Sequence, residues 1–267
     1  MNYAAAVNDP NEAYFNDERP EGISAHPMNC AALTWPITER IQDFIESEDF
    51  PKELLARQVH FTEHLEFHRQ VVPGDELLIQ GRIAAIEPHR AGTHVIIRFD
   101  ATDREEQPVF TEHIGGLMRG IECRGDARGM DDVPMVPKSS SADVQWESAI
   151  PIDKMASFIY DGCTNIFFPI HTSRKFARQV GLPDIILQGT ATLAFAVREL
   201  INREAGGDPA RVSKIYCKFT GMVMPASNIR VQQTGKLNTG AGIDIFFVVL
   251  NSEGQKALNN GYIQITS

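Results

Sequence analysis

Residues 159–207, IYDGCTNIFFPIHTSRKFARQVGLPDIILQGTATLAFAVRELINREAGG, decide how the rest of the chain is read. An irregular segment ends in Pro169-Ile170-His171. A short basic turn and helix follows over 172–178, and an apolar approach over 182–187 leads to Gln188-Gly189. From Gly189 the pattern predicts a helix. It is apolar nearly all round from Ala191 to Val197, so it reads as buried rather than amphipathic. Charges appear only in its last turns (Arg198, Glu199, Arg203), and Gly206-Gly207 stops it. Its first turn, Gly-Thr-Ala-Thr, lets bare backbone N–H groups come close to a ligand. Those groups lack intrahelical partners, and the helix dipole places partial positive charge there. Such an end suits a carbonyl oxygen that gathers negative charge during a reaction.

Upstream, 3–15 reads as a short helical start broken by Asn8-Asp9-Pro10-Asn11. Pro27 sits where a helix begins, residues 28–35 are helical in character, and Pro36 is expected to kink or restart the helix before an amphipathic stretch over 37–45. Four strand-like stretches follow, at 59–71, 76–87, 93–102 and 109–118. The alternation His94-Val95-Ile96-Ile97-Arg98-Phe99-Asp100 fits a sheet with one face on a core. Residues 123–148, with Pro134, Pro137 and Ser139-Ser140-Ser141, have linker composition.

The second half repeats the first. Phe67, Val71, Pro73, Leu77 and Ile79 match Phe219, Val223, Pro225, Ile229 and Val231 at an offset of 152. Tyr3 and Asn8 match Tyr160 and Asn165 at 157, and the helices opening near Pro27 and Gly189 correspond at 162. Drifting offsets in kept order mean a duplicated unit with loop insertions. Each unit reads as a helical segment, a central helix and several antiparallel strands. The expected division is a first unit over 1–122, a linker over 123–148 and a second unit over 149–267.

Pro169-Ile170-His171, its spacing to Gly189, and the Thr/Ala-rich helix together resemble the hydratase motif of MaoC-like (R)-specific enoyl-thioester hydratases and dehydratases. That pattern runs Gly-Asp-x-Asn-Pro-Ile-His and, about fifteen residues on, Ile-x-His-Gly. Here Ile166 stands at the Asp position, Phe168 at the Asn and Gln188 at the His. The resemblance implies an α+β fold of two tandem hot-dog units, each a curled antiparallel sheet around a central helix. It implies hydration or dehydration of an acyl thioester at the 2,3 position, with the first half degenerate. His171 is then the acid/base, Gly189 the donor to the thioester oxygen, and Gln188 the group that orients substrate or water. Phe168, Thr190, Arg174 and Lys175 are expected at the substrate. Asp9, Asn11 and Tyr14, aligned on the same motif in the first half, are secondary candidates, with a turn and helix cap as their commoner use.

Other function classes lack support. The net charge of −10 argues against nucleic acid. No apolar run has membrane-spanning length, the N-terminus has no signal-like pattern, and Cys30, Cys123, Cys163 and Cys217 show no CxxC spacing, so a cytoplasmic protein is expected. His60, His64 and His68 recur every four residues, yet on a strand they share one face and read as polar rather than metal-binding. Neither metal nor redox cofactor is expected; CoA or a carrier-protein thioester is the expected substrate, its phosphates met by Arg174, Lys175, Arg178, Lys214 and Lys218. A homodimer or a paired hot-dog subunit is the expected assembly. Two alternatives stay open: another proton-transfer reaction on the same scaffold, or a silent acyl-binding subunit of a hetero-oligomeric dehydratase.

Overall fold

The computed structural model describes residues 1–46, 52–139 and 143–266; Ser140 and Ser141 of the expected linker lie outside them. The chain opens with two short helices, α1 (Asn2–Ala6) and α2 (Glu12–Phe15). Asn8, in the left-handed region at φ 50°, separates them, a conformation that Asn tolerates better than most residues. Helix α3 (Asn29–Glu39) then continues through Pro36. The expected restart does not occur. Proline at this position removes the one N–H that would bond the Ala32 carbonyl, and the helix ends only three residues later, at Glu39. A 3₁₀ turn (Ile41–Asp43) replaces the expected helical continuation.

Four strands complete the first half: β1 (Gln58–Phe67), β2 (Leu78–His89), β3 (Gly92–Thr102) and β4 (Pro108–Arg119). The second half begins with β5 (Trp146–Ile152), which starts inside the expected linker. It continues with α4 (Ala156–Thr164), a 3₁₀ turn (Pro169–His171), α5 (Arg174–Gln179) and α6 (Gly189–Glu204). Strands β6 (Val212–Phe219), β7 (Ser227–Thr239), β8 (Gly242–Leu250) and β9 (Lys256–Ile265) close the chain. Among the described residues no helix is long and apolar enough to cross a membrane.

Among the described residues one antiparallel sheet holds the strands in the order β2-β3-β4-β1-β6-β9-β8-β7-β5. The order β2-β3-β4-β1 reads outward from the centre as β1, β4, β3, β2; its mirror in the second half is β6, β9, β8, β7. The two halves meet at β1–β6, where Glu63 pairs with Cys217 and His64 with Tyr216. This is the duplication written into topology: each half contributes the same four-strand run, and equivalent strands adjoin at the middle. The equivalent helices α1 and α4 also pack together, with the hydroxyls of Tyr3 and Tyr160, residues matched in the repeat, in direct contact.

Helix α6 lies on the sheet against β6 and β9, and it carries the centre of the core. Leu193, Ala194, Ala196, Val197, Leu200 and Ile201 are fully buried, which is why the sequence can be apolar on every side there. Ile166 and Leu187, which flank the irregular segment, are drawn into the same cluster, so the core itself fixes the loop that ends in His171.

Candidate active site

His171 is positioned by local chemistry on both sides. Helix α4 ends at Asn165, left-handed at φ 60°, the structural twin of Asn8. Pro169 then opens the 3₁₀ turn, and Ser173 caps α5 by accepting from the Phe176 N–H at 3.3 Å. The half-buried imidazole has its Nδ1 2.8 Å from the Ile186 carbonyl oxygen. A carbonyl only accepts, so Nδ1 carries the proton and Nε2 keeps its lone pair. Burial lowers the His171 pKa to about 4, with the Ile186 bond opposing the shift. The ring is therefore neutral across ordinary pH.

Three residues past Ile186 the helix α6 begins. The Thr192 N–H bonds to the Gln188 carbonyl at 3.0 Å, which leaves the N–H groups of Gly189, Thr190 and Ala191 without acceptors among the described residues. No side chain caps this end. Gln188, which occupies the capping position, instead turns its amide away: Nε2 donates to the Ser157 carbonyl at 2.9 Å and to Asp161. The site needs a glycine at its opening. A Cβ on Gly189 would sit 2.9 Å from the Phe219 ring, closer than side chains pack.

Asp161, ten residues before His171, is brought beside the helix start by α4. Ser157 and Asp161, one turn apart, face the 186–188 segment, and the Ser157 hydroxyl donates to the same Ile186 carbonyl that holds His171 (3.2 Å). Asp161 is buried, its Oδ2 and the Gln188 Oε1 have no hydrogen-bond partner among the described residues, and burial raises its pKa to about 6. The sequence signal was present in this i, i+4 pair, but only the fold shows what it faces.

Immediately beyond His171 a cleft of about 620 Å³ opens, lined by Lys154, Met155, Phe158, Thr172, Ser173, Arg174 and Ile185. Arg174 pairs with Asp184 at 3.2 Å and Arg178 approaches the same carboxylate at 4.0 Å. Lys175 is exposed beside them. Lys154, absent from the expected set, lines the cleft instead of Lys214 and Lys218. Those two project from the face of β6 opposite Ile215 and Cys217; Lys214 pairs with Glu66 at 3.1 Å and Lys218 lies over the Phe61 ring. Phe168 is 44% exposed and edge-on to His171 at 6.5 Å, so it walls the site without filling it. Thr190 is buried next to Tyr160.

Asp9, Asn11 and Tyr14 lie elsewhere. Asn11 caps α2 by accepting from Ala13 N–H, and its amide bonds Gly207 and Asn202 at the far end of α6. Asp9 also accepts from Asn202. Thirteen residues of helix separate Asn202 from Gly189, about 20 Å at 1.5 Å per residue. Asp9 and His171 therefore cannot share a site. Tyr14 is buried against His26, which stands at the Gln188 position of the first half. The histidines of β1 also depart from expectation. A bulge between His60 and Thr62 places His60 on the face opposite His64, near Phe219, while His64 stands beside Tyr216 and His113.

Residues 138–240 match a family model described as MaoC like domain, and residues 1–112 match FAS1-like, dehydratase domain region. A probable enoyl-CoA hydratase 2 of Dictyostelium discoideum is 23% identical over 227 residues, covering 84% of this chain and 74% of that protein. Of two further curated relatives the chain spans 34% and 60%. A MaoC-like dehydratase from Phytophthora capsici superposes on the whole chain with a TM-score of 0.81 at 18% identity, over 91% of its own length. A Mycobacterium tuberculosis protein described as having a double hotdog fold gives 0.60 at 12% identity, over 99% of this chain and 90% of that one.

Proposed function

We propose that this chain, which matches a MaoC like domain over residues 138–240 and a FAS1-like dehydratase region over residues 1–112, is a hydro-lyase that adds water to, or removes it from, a 2-enoyl thioester. The observation that carries the reading is the pairing of a neutral His171, whose Nε2 is free, with an uncapped α6 start three residues beyond the carbonyl that orients it. In the hydration direction the thioester oxygen accepts from the Gly189 N–H. His171 Nε2 takes a proton from water as the water oxygen bonds to C3. The C2–C3 π electrons move onto the thioester oxygen as an enolate, which the helix N–H groups stabilise. The imidazolium then returns its proton to C2, the carbonyl re-forms, and His171 is neutral again. A base of pKa about 4 is weak, but its conjugate acid is strong enough to protonate carbon readily.

Ile166, buried at the motif's Asp position, contributes no proton step. Asp161 is a positioning residue in this reading: through Gln188 it holds the first residue before Gly189 in place. The thioester's carrier, CoA or an acyl carrier protein, enters by the cleft at Thr172–Arg174 with Lys154, Arg174 and Lys175 near its phosphates. The chemistry draws only on side-chain and backbone groups, and the reading keeps the cytoplasm as its setting. The test is loss of enoyl absorbance with the pure chain on a panel of 2-enoyl-CoA esters, together with the chirality of the 3-hydroxy product. Turnover giving the (R) product supports it. A folded chain that turns over none of them but gains activity with a second hot-dog chain moves the assignment to a partner-dependent subunit.

A further inference from the structure

Two glutamates lie in the middle of the protein with no solvent exposure at all. Glu63 on β1 and Glu112 on β4 point to the same side of the sheet as Leu65 and Phe110, toward α3. They are diagonal neighbours across the ladder, since Leu65 pairs with Glu112. The two carboxyls lie against each other, Thr34 of α3 adjoins Glu112, and His60 Nε2 is 3.0 Å from Glu63 Oε2. Among the described residues none of the four carboxyl oxygens makes a well-formed hydrogen bond. Burial raises the Glu63 pKa to about 7 and that of Glu112 well above the usual carboxylate range, Glu63 adding to the latter.

The repeat shows that the fold does not require them. The offset of 152 sets Glu63 against Ile215. The cross-strand pair His64–His113 corresponds to Tyr216–Tyr262, which sets Glu112 against Gly261. Under α6 the same two positions are thus apolar and tightly packed. Burying a polar group without good partners is costly wherever it occurs. The duplicated unit therefore folds well with a greasy pair here, and the first half carries an acidic pair in its place.

The position of the pair relative to the reactive end is continuous. Gly189 is backed by the Phe219 ring, His60 packs tilted against Phe219 with ring centres 4.3 Å apart, and His60 reaches Glu63. On the other side Tyr160 adjoins Thr190 and lies near Glu63. A thioester whose oxygen is held at Gly189, with its carrier in the open cleft by Thr172, would reach this cluster once its acyl end displaces the Phe219 ring. We propose that His60, Glu63 and Glu112 recognise a hydrogen-bond-donating substituent, a hydroxyl, on the acyl chain of the substrate. A carboxyl pair sharing a proton can accept from a hydroxyl and donate back to it, which an alkyl chain cannot answer.

This inference rests on the hydratase reading for the direction in which the acyl chain points, so binding and turnover are measured separately. The probes are saturated acyl-CoA esters, which cannot react, of equal length, with a hydroxyl at successive carbons beyond the 2,3 position or with none. Calorimetry with the full chain is expected to show one hydroxyl position preferred over the plain chain by at least about tenfold. Glu63→Leu/Glu112→Leu is expected to reverse that preference, and the shape-keeping Glu112→Gln, should the double variant fold poorly, to reduce it. Equal binding of all probes, tighter binding of the plain chain, or a preference unchanged in the variants overturns the inference. A hydroxyl preference with no turnover of the matching 2-enoyl ester upholds this site and rejects the hydratase reading instead.

Discussion

At the scale of single residues, His171 is set by one backbone contact. The Ile186 carbonyl fixes its tautomer and burial keeps it neutral, so its titration is the expected acid limit of the reaction. The kcat/KM profile should be level above neutrality and fall about tenfold per pH unit below about 4. A limit at about 6 would contradict this and transfer the proton step to Asp161. Asp161→Asn is expected to lower kcat while leaving the limit near 4. The buried acids give a second expectation. Glu63 is raised, so the folded chain holds a proton that the unfolded chain releases above about 4.3. Its contribution to stability therefore falls as pH rises from there through about 7. The groups that face it are His60, Glu112 on β4, Cys30 on α3, Cys217 on β6, Tyr3 and Tyr160. Glu63→Gln should flatten the decline in melting temperature over that interval; an identical decline would refute the assignment. Residues of this kind are poorly legible in sequence. His171 and Gly189 stand in a motif with fixed spacing, but Asp161 meets Gln188, and Glu63 meets Glu112, only because helices and strands far apart in the chain are packed together.

At the scale of elements, α6 was the most legible part of the chain because a helix apolar on every side has only one place to go. The β-strands were nearly as clear from their alternation and from the repeat. Two features escaped for local physical reasons. Pro36 stays within α3 because it lies three residues from the helix end and costs a single backbone bond, and the bulge after His60 inverts the face that strict alternation assigns. The opening of α6 yields its own prediction. Gly189→Ala keeps the N–H and improves helix propensity, yet its Cβ would press on the Phe219 ring at 2.9 Å. Shifting the helix start by a fraction of an ångström displaces the donor from the thioester oxygen. Turnover is expected to fall by up to about 10²-fold with the fold retained. Unchanged kcat in the variant would remove Gly189 from the reaction.

At the scale of the whole molecule, the two halves are one body. The sheet passes without interruption through β1–β6, and α1 and α4 interlock at Tyr3 and Tyr160. Separating the halves would expose two central strand edges at once, so calorimetry of the full chain should show a single cooperative transition. Two resolved transitions would mean that the halves are stable alone. The duplication also explains the division of labour. The second half keeps the histidine and the open helix start, while in the first half Tyr14 and Pro27 stand at those positions, Asn11 caps α2, and Glu63 and Glu112 make a polar interior. The most direct test of this account is the rate at which the pure chain hydrates a 2-enoyl-CoA, measured beside His171→Ala. Turnover by the native chain and a loss of about 10²–10⁴-fold in the variant are expected. A folded variant that works as fast as the native chain would contradict it.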